Sequence, residues 1–262
     1  MHARRLLALL TCAAAALVPA TMLPGVARAG DDVPGPVHAG NTFGWYRSGV
    51  TRYEFHGTMS SYWDVTGDGV VQDQHGMLTL NTTDTGSESA TLAQRGHRQG
   101  RWEVRLRSRR FETGHANYRV LTELVPAGAQ DQHCGGLNVA LERYRIGGDR
   151  ARFSIRTLPD NSFNARLPME LHNDQWHTYA VEVGPDHISW FVDAAVVRTE
   201  RRPAALSGVP LTVRFTMEAV PGAQMNRSRM QLDWLRHWTY RYPSTKPITA
   251  PQTHQAVFAS AC

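Results

Sequence analysis

Apolar residues recur at every second position in short runs along this chain. Trp102, Val104 and Leu106 alternate with Arg101, Glu103, Arg105 and Arg107; Leu211, Val213, Phe215 and Met217 alternate with Thr212, Arg214, Thr216 and Glu218. Phe153 and Ile155 alternate with Ser154 and Arg156 in the same way. A period of two is that of a strand with one buried face, and no segment sustains the 3.6-residue period of a helix. Further strands are expected at Met77–Asn81, Thr91–Gln94, Asn117–Val125, Leu137–Tyr144, Trp176–Val183, His187–Val192, Val196–Thr199 and Met230–Tyr240, in a chain whose runs are separated by Gly, Pro, Asn and Asp. About a dozen strands in about 190 residues, without helices between them, exceed a small barrel and suit two packed antiparallel sheets. The expected fold is all-β: a two-sheet antiparallel β-sandwich of jelly-roll type. In such a sandwich one outer, polar face can curve into a concave cleft, which takes its lining from alternate positions on neighbouring strands.

The chain has 262 residues, and its ends read differently from its middle. Residues 1–29 carry the pattern of a secretory signal peptide: a basic start through Arg5, an apolar run from Leu6 to Val18, and a small-residue site at Ala27-Arg28-Ala29, with cleavage after Ala29. Arg4-Arg5 also admits a twin-arginine reading, although the residues that flank such a pair are missing. The apolar run is short for a membrane span, so a secreted, extracellular protein with no membrane anchor is expected. Residues 30–50 read as a flexible leader, 51–242 as one sandwich domain and 243–262 as a Pro-rich C-terminal tail. A monomer is expected.

There are 28 Lys and Arg residues against 23 Asp and Glu, and the leader removes Arg4, Arg5 and Arg28 but no acid. The remaining excess of two is no nucleic-acid footprint. Arg105, Arg107, Arg109 and Arg110 are read as a solvated strand face. With Cys12 gone, Cys134 and Cys262 remain for an oxidising compartment; they form either a disulfide that pins the tail or two free thiols. No Cys/His cluster has zinc spacing, so neither metal nor cofactor is expected.

Three segments carry a resemblance. The run Trp176-His-Thr-Tyr-Ala-Val-Glu-Val-Gly-Pro-Asp-His-Ile-Ser-Trp-Phe-Val-Asp193 resembles the tryptophan-rich double strand of glycoside hydrolase family 16, the β-glucanases and laminarinases. Gly100-Arg-Trp-Glu-Val-Arg-Leu106 resembles that family's G-R-[FY]-E-x-R strand, and Leu232-Asp-Trp-Leu-Arg236 its closing D-W-V-R strand. In order and spacing the match runs from about Glu54 to Tyr240, with Val183 where the family has Trp and Ala194 where it has Gly. The resemblance implies a concanavalin A-like lectin/glucanase sandwich and a polysaccharide partner, a β-glucan or related cell-wall glycan, rather than a nucleic acid.

What the resemblance implies for chemistry turns on Leu137-Asn-Val-Ala-Leu-Glu-Arg-Tyr144. Family members carry E-x-D-x-E, or a bulged variant, on the matching strand. Retaining hydrolysis needs two carboxyl groups about 5 Å apart. Aligned without gaps, Asn138 stands at the nucleophile position, Ala140 at the assisting Asp and Glu142 at the acid/base. One rescue is open: if Asn117, Arg119, Leu121 and Glu123 share a face, a hairpin could set Glu123 across from Asn138 and Arg119 across from Glu142. Glu123 would then supply the missing carboxylate; otherwise Glu123, Arg119 and Glu142 form a structural ion-pair group. Asn117, Arg119, Asn138, His133 and Tyr144 are the candidate sugar contacts, and no cleft Trp stands on Leu211–Glu218. Two functions follow: a glycosidase with Glu142 and Glu123 as its carboxylates, or a catalytically inactive, lectin-like glycan binder.

Overall fold

The computed structural model describes residues 38–57, 59–128, 137–171 and 174–257. Residues 1–37, which include the signal-peptide pattern, and His133, Cys134 and Cys262 lie outside the described residues. In chain order the strands are β1 (Val50–Glu54), β2 (Trp63–Thr66), β3 (Val70–Gln74), β4 (Met77–Asn81), β5 (Glu88–Leu92), β6 (Gly100–Arg110), β7 (Arg119–Pro126) and β8 (Asn138–Arg145). They continue with β9 (Arg150–Thr157), β10 (Asn161–Pro168), β11 (His177–Val183), β12 (Ile188–Val192), β13 (Ala195–Glu200), β14 (Leu211–Glu218), β15 (Ser228–Trp238) and β16 (His254–Val257). All the strand pairings are antiparallel and build two sheets. The first runs β13-β12-β11-β6-β15-β4-β3 with β1 also on β15; the second runs β16-β10-β9-β8-β7-β14-β5-β2.

The period-two residues explain the packing. Val104, Leu106, Tyr179, Val181 and Trp190 from the first sheet face Val120, Leu124, Phe153, Ile155, Val213 and Phe215 from the second, all essentially without solvent exposure. Each such side chain contributes roughly 1.5–3 kcal/mol through burial. Directional bonds cross this apolar layer too: the Trp190 indole Nε1 donates to the Ala140 carbonyl on β8 at 3.1 Å.

The two outer faces are treated differently. Behind the first sheet a second cluster buries Ala39, Phe43, Trp45, Ala180, Phe191 and Trp238. Its N-terminal part is a short helix, α1 (Ala39–Thr42), whose first N–H groups, those of Ala39 and Gly40, donate to the buried Glu103 carboxyl at 2.5 and 3.1 Å. Residues 38–50 are therefore docked rather than free, a correction to the flexible leader over its described part. The described part of the tail is docked as well: Thr245 N donates to the Phe43 carbonyl at 2.9 Å, Ser244 bonds Glu182, and β16 joins the edge of the second sheet on β10. Sequence patterning missed β1, β2, β3, β10 and β16 because their alternation is weak and largely polar, as edge or half-exposed strands allow.

The β12–β13 hairpin accounts for one departure from the family pattern. Asp193 and Ala194 both lie at positive φ, +46° and +62°, the mirror-image turn that favours glycine. Asp193 is fixed by the Thr178 N–H at 2.9 Å and by the His177 ring at 2.8 Å, while Ala194 carries the strain of a Cβ in that region. Replacing Ala194→Gly is expected to raise stability by about 1 kcal/mol, read as a shift of the urea midpoint at unchanged slope.

Candidate functional site

The first sheet's outer face is partly covered by residues 38–50 and the tail, whereas the second sheet's outer face carries the open concavity. Three adjoining depressions of about 350, 490 and 560 Å³ run across it. The first two share Arg143, and the last two share Arg152 and Arg166, so they form one groove crossing the strands.

Pairing register assigns the groove lining. One row across the sheet reads Thr91, Arg214, Glu123, Ala140, Ser154, Asn164 and His254. The next reads Ser89, Thr216, Leu121, Arg143, Arg152 and Arg166, and a third Glu218, Arg119 and Arg145. Their side chains share the outer face because residues paired across a sheet point the same way.

β8 does not keep one phase. Its apolar residues that turn inward are Val139 and Leu141, then Tyr144 and Ile146, so the spacing slips from two to three. The structure accommodates the slip with a β-bulge: Glu123 pairs Ala140, Thr122 pairs Glu142, and Leu141 is the inserted residue. Two expectations are corrected by it. Glu123 lies across from Ala140 rather than Asn138, and Arg119 across from Arg145 rather than Glu142. Glu142 turns into the sandwich, with no solvent exposure, and accepts from the Thr122 hydroxyl. Its Oε2 and the nearby Tyr179 hydroxyl are buried without partners among the described residues. Burial, aided by the charge of Glu123, pushes the Glu142 carboxyl well above the carboxylate range, so it is held neutral. The expected acid/base therefore lies on the wrong side of the sheet, and the third outward position of the strand is Arg143.

The other sequence candidates divide. Tyr144 is a core residue, its hydroxyl donating to or accepting from Ser108 at 3.1 Å. Asn117 precedes β7 and is structural: its Nδ2 donates to the Ile146 carbonyl at 3.1 Å and its Oδ1 accepts from Asn226 at 2.6 Å. Glu123, Asn138 and Arg119 do line the groove. Asn138 Nδ2 donates to Glu123 Oε1 at 2.5 Å, and Arg214 clamps Glu123 Oε2 through Nη2 at 2.9 Å and Nε at 3.3 Å. Arg143 and Arg119 both reach Glu218 Oε2, at 2.6 and 3.4 Å. The Asn138 carbonyl oxygen has no partner among the described residues.

Sequence reasoning did not single out Arg143, Arg152, Arg156, Arg166, Thr216 or Glu218 as site residues. A signal for part of the set was present: Arg150, Arg152 and Arg156 occupy alternate positions of one strand, opposite Ala151, Phe153 and Ile155.

Among the described residues three glutamates line the groove, Glu88, Glu123 and Glu218; Glu88 is buried, and burial pushes its carboxyl up to about 7. Glu123 pairs Arg214, and Glu218 lies four residues further along β14, about 13 Å at roughly 3.3 Å per residue. Glu123 and Glu218 are each engaged by arginine, Glu123 by Arg214 and Glu218 by Arg143 and Arg119.

No family model and no curated protein matches the chain. Solved structures do share its fold. The laminarinase from Rhodothermus marinus superposes with a TM-score of 0.59 at 13% identity, covering 73% of this chain and 97% of that one. The β-glucanase of Bacillus licheniformis gives 0.56 at 14% identity over 74% and 99%. A non-specific endo-β-1,3(4)-glucanase of family GH16, crystallised with a β-glucan oligosaccharide at its active site, gives 0.56 at 13% over 72% and 93%. The fold is thus of the glycoside hydrolase family 16 type.

The burial of Glu142 sets a pH dependence. A carboxyl with a raised folded pKa is bound to its proton longer in the native state than in the unfolded chain, so stability falls as pH climbs above the unfolded value. Glu142→Gln keeps the acceptor for Thr122 and removes that loss. The variant is expected to melt higher than the parent at pH 9 and within a degree or so of it at pH 5, by calorimetry at both pH values.

Proposed function

We propose that this chain is a secreted glycan-binding protein on a glycoside hydrolase family 16-type scaffold, holding a polysaccharide in the groove of the second sheet without cleaving it. The observation that carries the reading is the face of β8: its outward positions are Asn138, Ala140 and Arg143, none with a carboxyl, while Glu142 is turned into the core. The similarity of the fold to glucanases that act on β-glucans supports a polysaccharide as the partner. Export is supported by the leader pattern of residues 1–29, with the mature chain beginning at Gly30.

The lining suits hydroxyl-rich ligands. Thr216, Ser154, Asn164 and Asn138 offer donors and acceptors at strand spacing. The aromatic ring beside the groove, that of Tyr144, is buried, so polar contacts carry the affinity.

Glu123 keeps a second reading in view, since it is a carboxylate in the groove, but its clamp by Arg214 and Asn138 fits positioning better than nucleophilic attack. Affinity electrophoresis and a reducing-sugar assay across a panel of β-glucans and cell-wall polysaccharides separate the two. Retention without release of reducing ends is expected. Asn138→Ala is expected to weaken retention about fivefold, the equivalent of one hydrogen bond, and Glu142→Gln to leave it unchanged. Release of reducing ends that Glu123→Gln abolishes would instead assign hydrolysis.

A further inference from the structure

The chain's small overall charge excess conceals a strong asymmetry between its two outer faces. On the first sheet β6 arginines have acidic neighbours: Arg105 meets Asp233 at 2.7 Å and Arg109 meets Asp174 at 3.1 Å. On the second sheet Arg143, Arg152 and Arg166 stand directly opposite one another on three adjacent strands, with Arg145, Arg150 and Arg156 around them. Strands β9 and β10 carry no acidic residue at all. Only Arg143 of the aligned three has a carboxylate, that of Glu218; Arg152 and Arg166 make no ion pair among the described residues.

Like charges directly opposite in a sheet are destabilising. The cost is visible at Arg152, where burial and then the charges of Arg166, Arg143, Arg119 and Arg156 lower the guanidinium's affinity for its proton. A row of this kind is relieved by an anion lying across it, because guanidinium groups bind carboxylate and sulfate oxygens through paired N–H donors. The row runs perpendicular to the strands, with neighbours about 4.8 Å apart, along the direction of the groove.

Resting on the groove reading above, we propose that the ligand is an anionic polysaccharide, bearing carboxylate or sulfate groups, whose charges are received by Arg152 and Arg166 with Arg143 beside them. A nucleic acid shares the charge but is less well matched: the lining offers hydroxyls and amides to a sugar chain and no exposed aromatic ring on which bases would stack.

Affinity electrophoresis of the full chain through polygalacturonate, dextran sulfate, laminarin and single-stranded DNA tests this. Polygalacturonate or dextran sulfate is expected to hold the protein at least about tenfold more tightly than laminarin, and the stronger of the two names the anion. Arg152→Ala/Arg166→Ala is expected to cut that affinity about tenfold or more without lowering the melting temperature, since it relieves repulsion. Arg47→Ala/Arg109→Ala, which removes the same charge elsewhere, should change it by no more than about twofold. Equal loss in both double variants, or tighter binding to DNA than to either polyanion, overturns the proposal. Laminarin binding that matches the polyanions and survives Arg152→Ala/Arg166→Ala overturns it while leaving the glycan groove standing. Retention by none of the four overturns both.

Discussion

The hydrogen bond from the Trp190 indole to the Ala140 carbonyl crosses the core at the point where β8 gains a residue, and the direction of every later side chain on that strand follows from this point. An indole N–H sealed in an apolar layer needs an acceptor, and a bulge supplies a carbonyl not wholly committed to the ladder. Upstream of it Asn138 and Ala140 face the groove; downstream Arg143 and Arg145 do, while Leu141 and Glu142 turn inward. Without the inserted residue Glu142 would face the groove and Arg143 the core. Both outcomes would be costly, because Arg143 would then need an acid among buried apolar side chains.

That switch separates scaffold from chemistry. The sandwich shares its fold with a laminarinase and a β-glucanase, yet the outward face of β8 carries an amide, a methyl and a guanidinium. Glu123 and Glu218 there are paired with Arg214, Arg143 and Arg119, and Glu88 at the groove's edge is buried. Covering part of the first sheet with residues 38–50 and the tail leaves the second sheet as the open, basic face, so the asymmetry in charge and the asymmetry in covering coincide.

Much of the fold was legible because burial of one strand face writes itself as a period of two. Strands β4, β6, β11, β12 and β14 follow that period closely, and the edge strands β2 and β3 escape it because solvent on both sides removes the constraint. The site was harder. Glu123 and Arg119 were found from polar alternation and Asn138 from alignment to the family motif, but Tyr144 and Glu142 were placed by extending one phase through a strand that changes phase, and Asn117 by carrying the alternation of β7 past its start. The slip between Leu141 and Tyr144 was in the sequence as a three-residue gap between apolar residues. A gap-free alignment to E-x-D-x-E hid it. The arginine row was hidden for another reason: net charge averages over faces, and only the register of β8, β9 and β10 sets Arg143, Arg152 and Arg166 in line.

The placement of Glu142 and Arg143 is the claim on which the rest turns, and thiol accessibility measures it directly. Single variants Glu142→Cys and Arg143→Cys, labelled with a small maleimide under native conditions and located by peptide mass mapping, should behave oppositely. A thiol at 143 should label within seconds to minutes, and one at 142 should be slower by about a hundredfold or more, opening only with local unfolding. Fast labelling at 142 with protection at 143 would mean that β8 runs without its bulge, returning Glu142 to the groove and with it the case for hydrolysis.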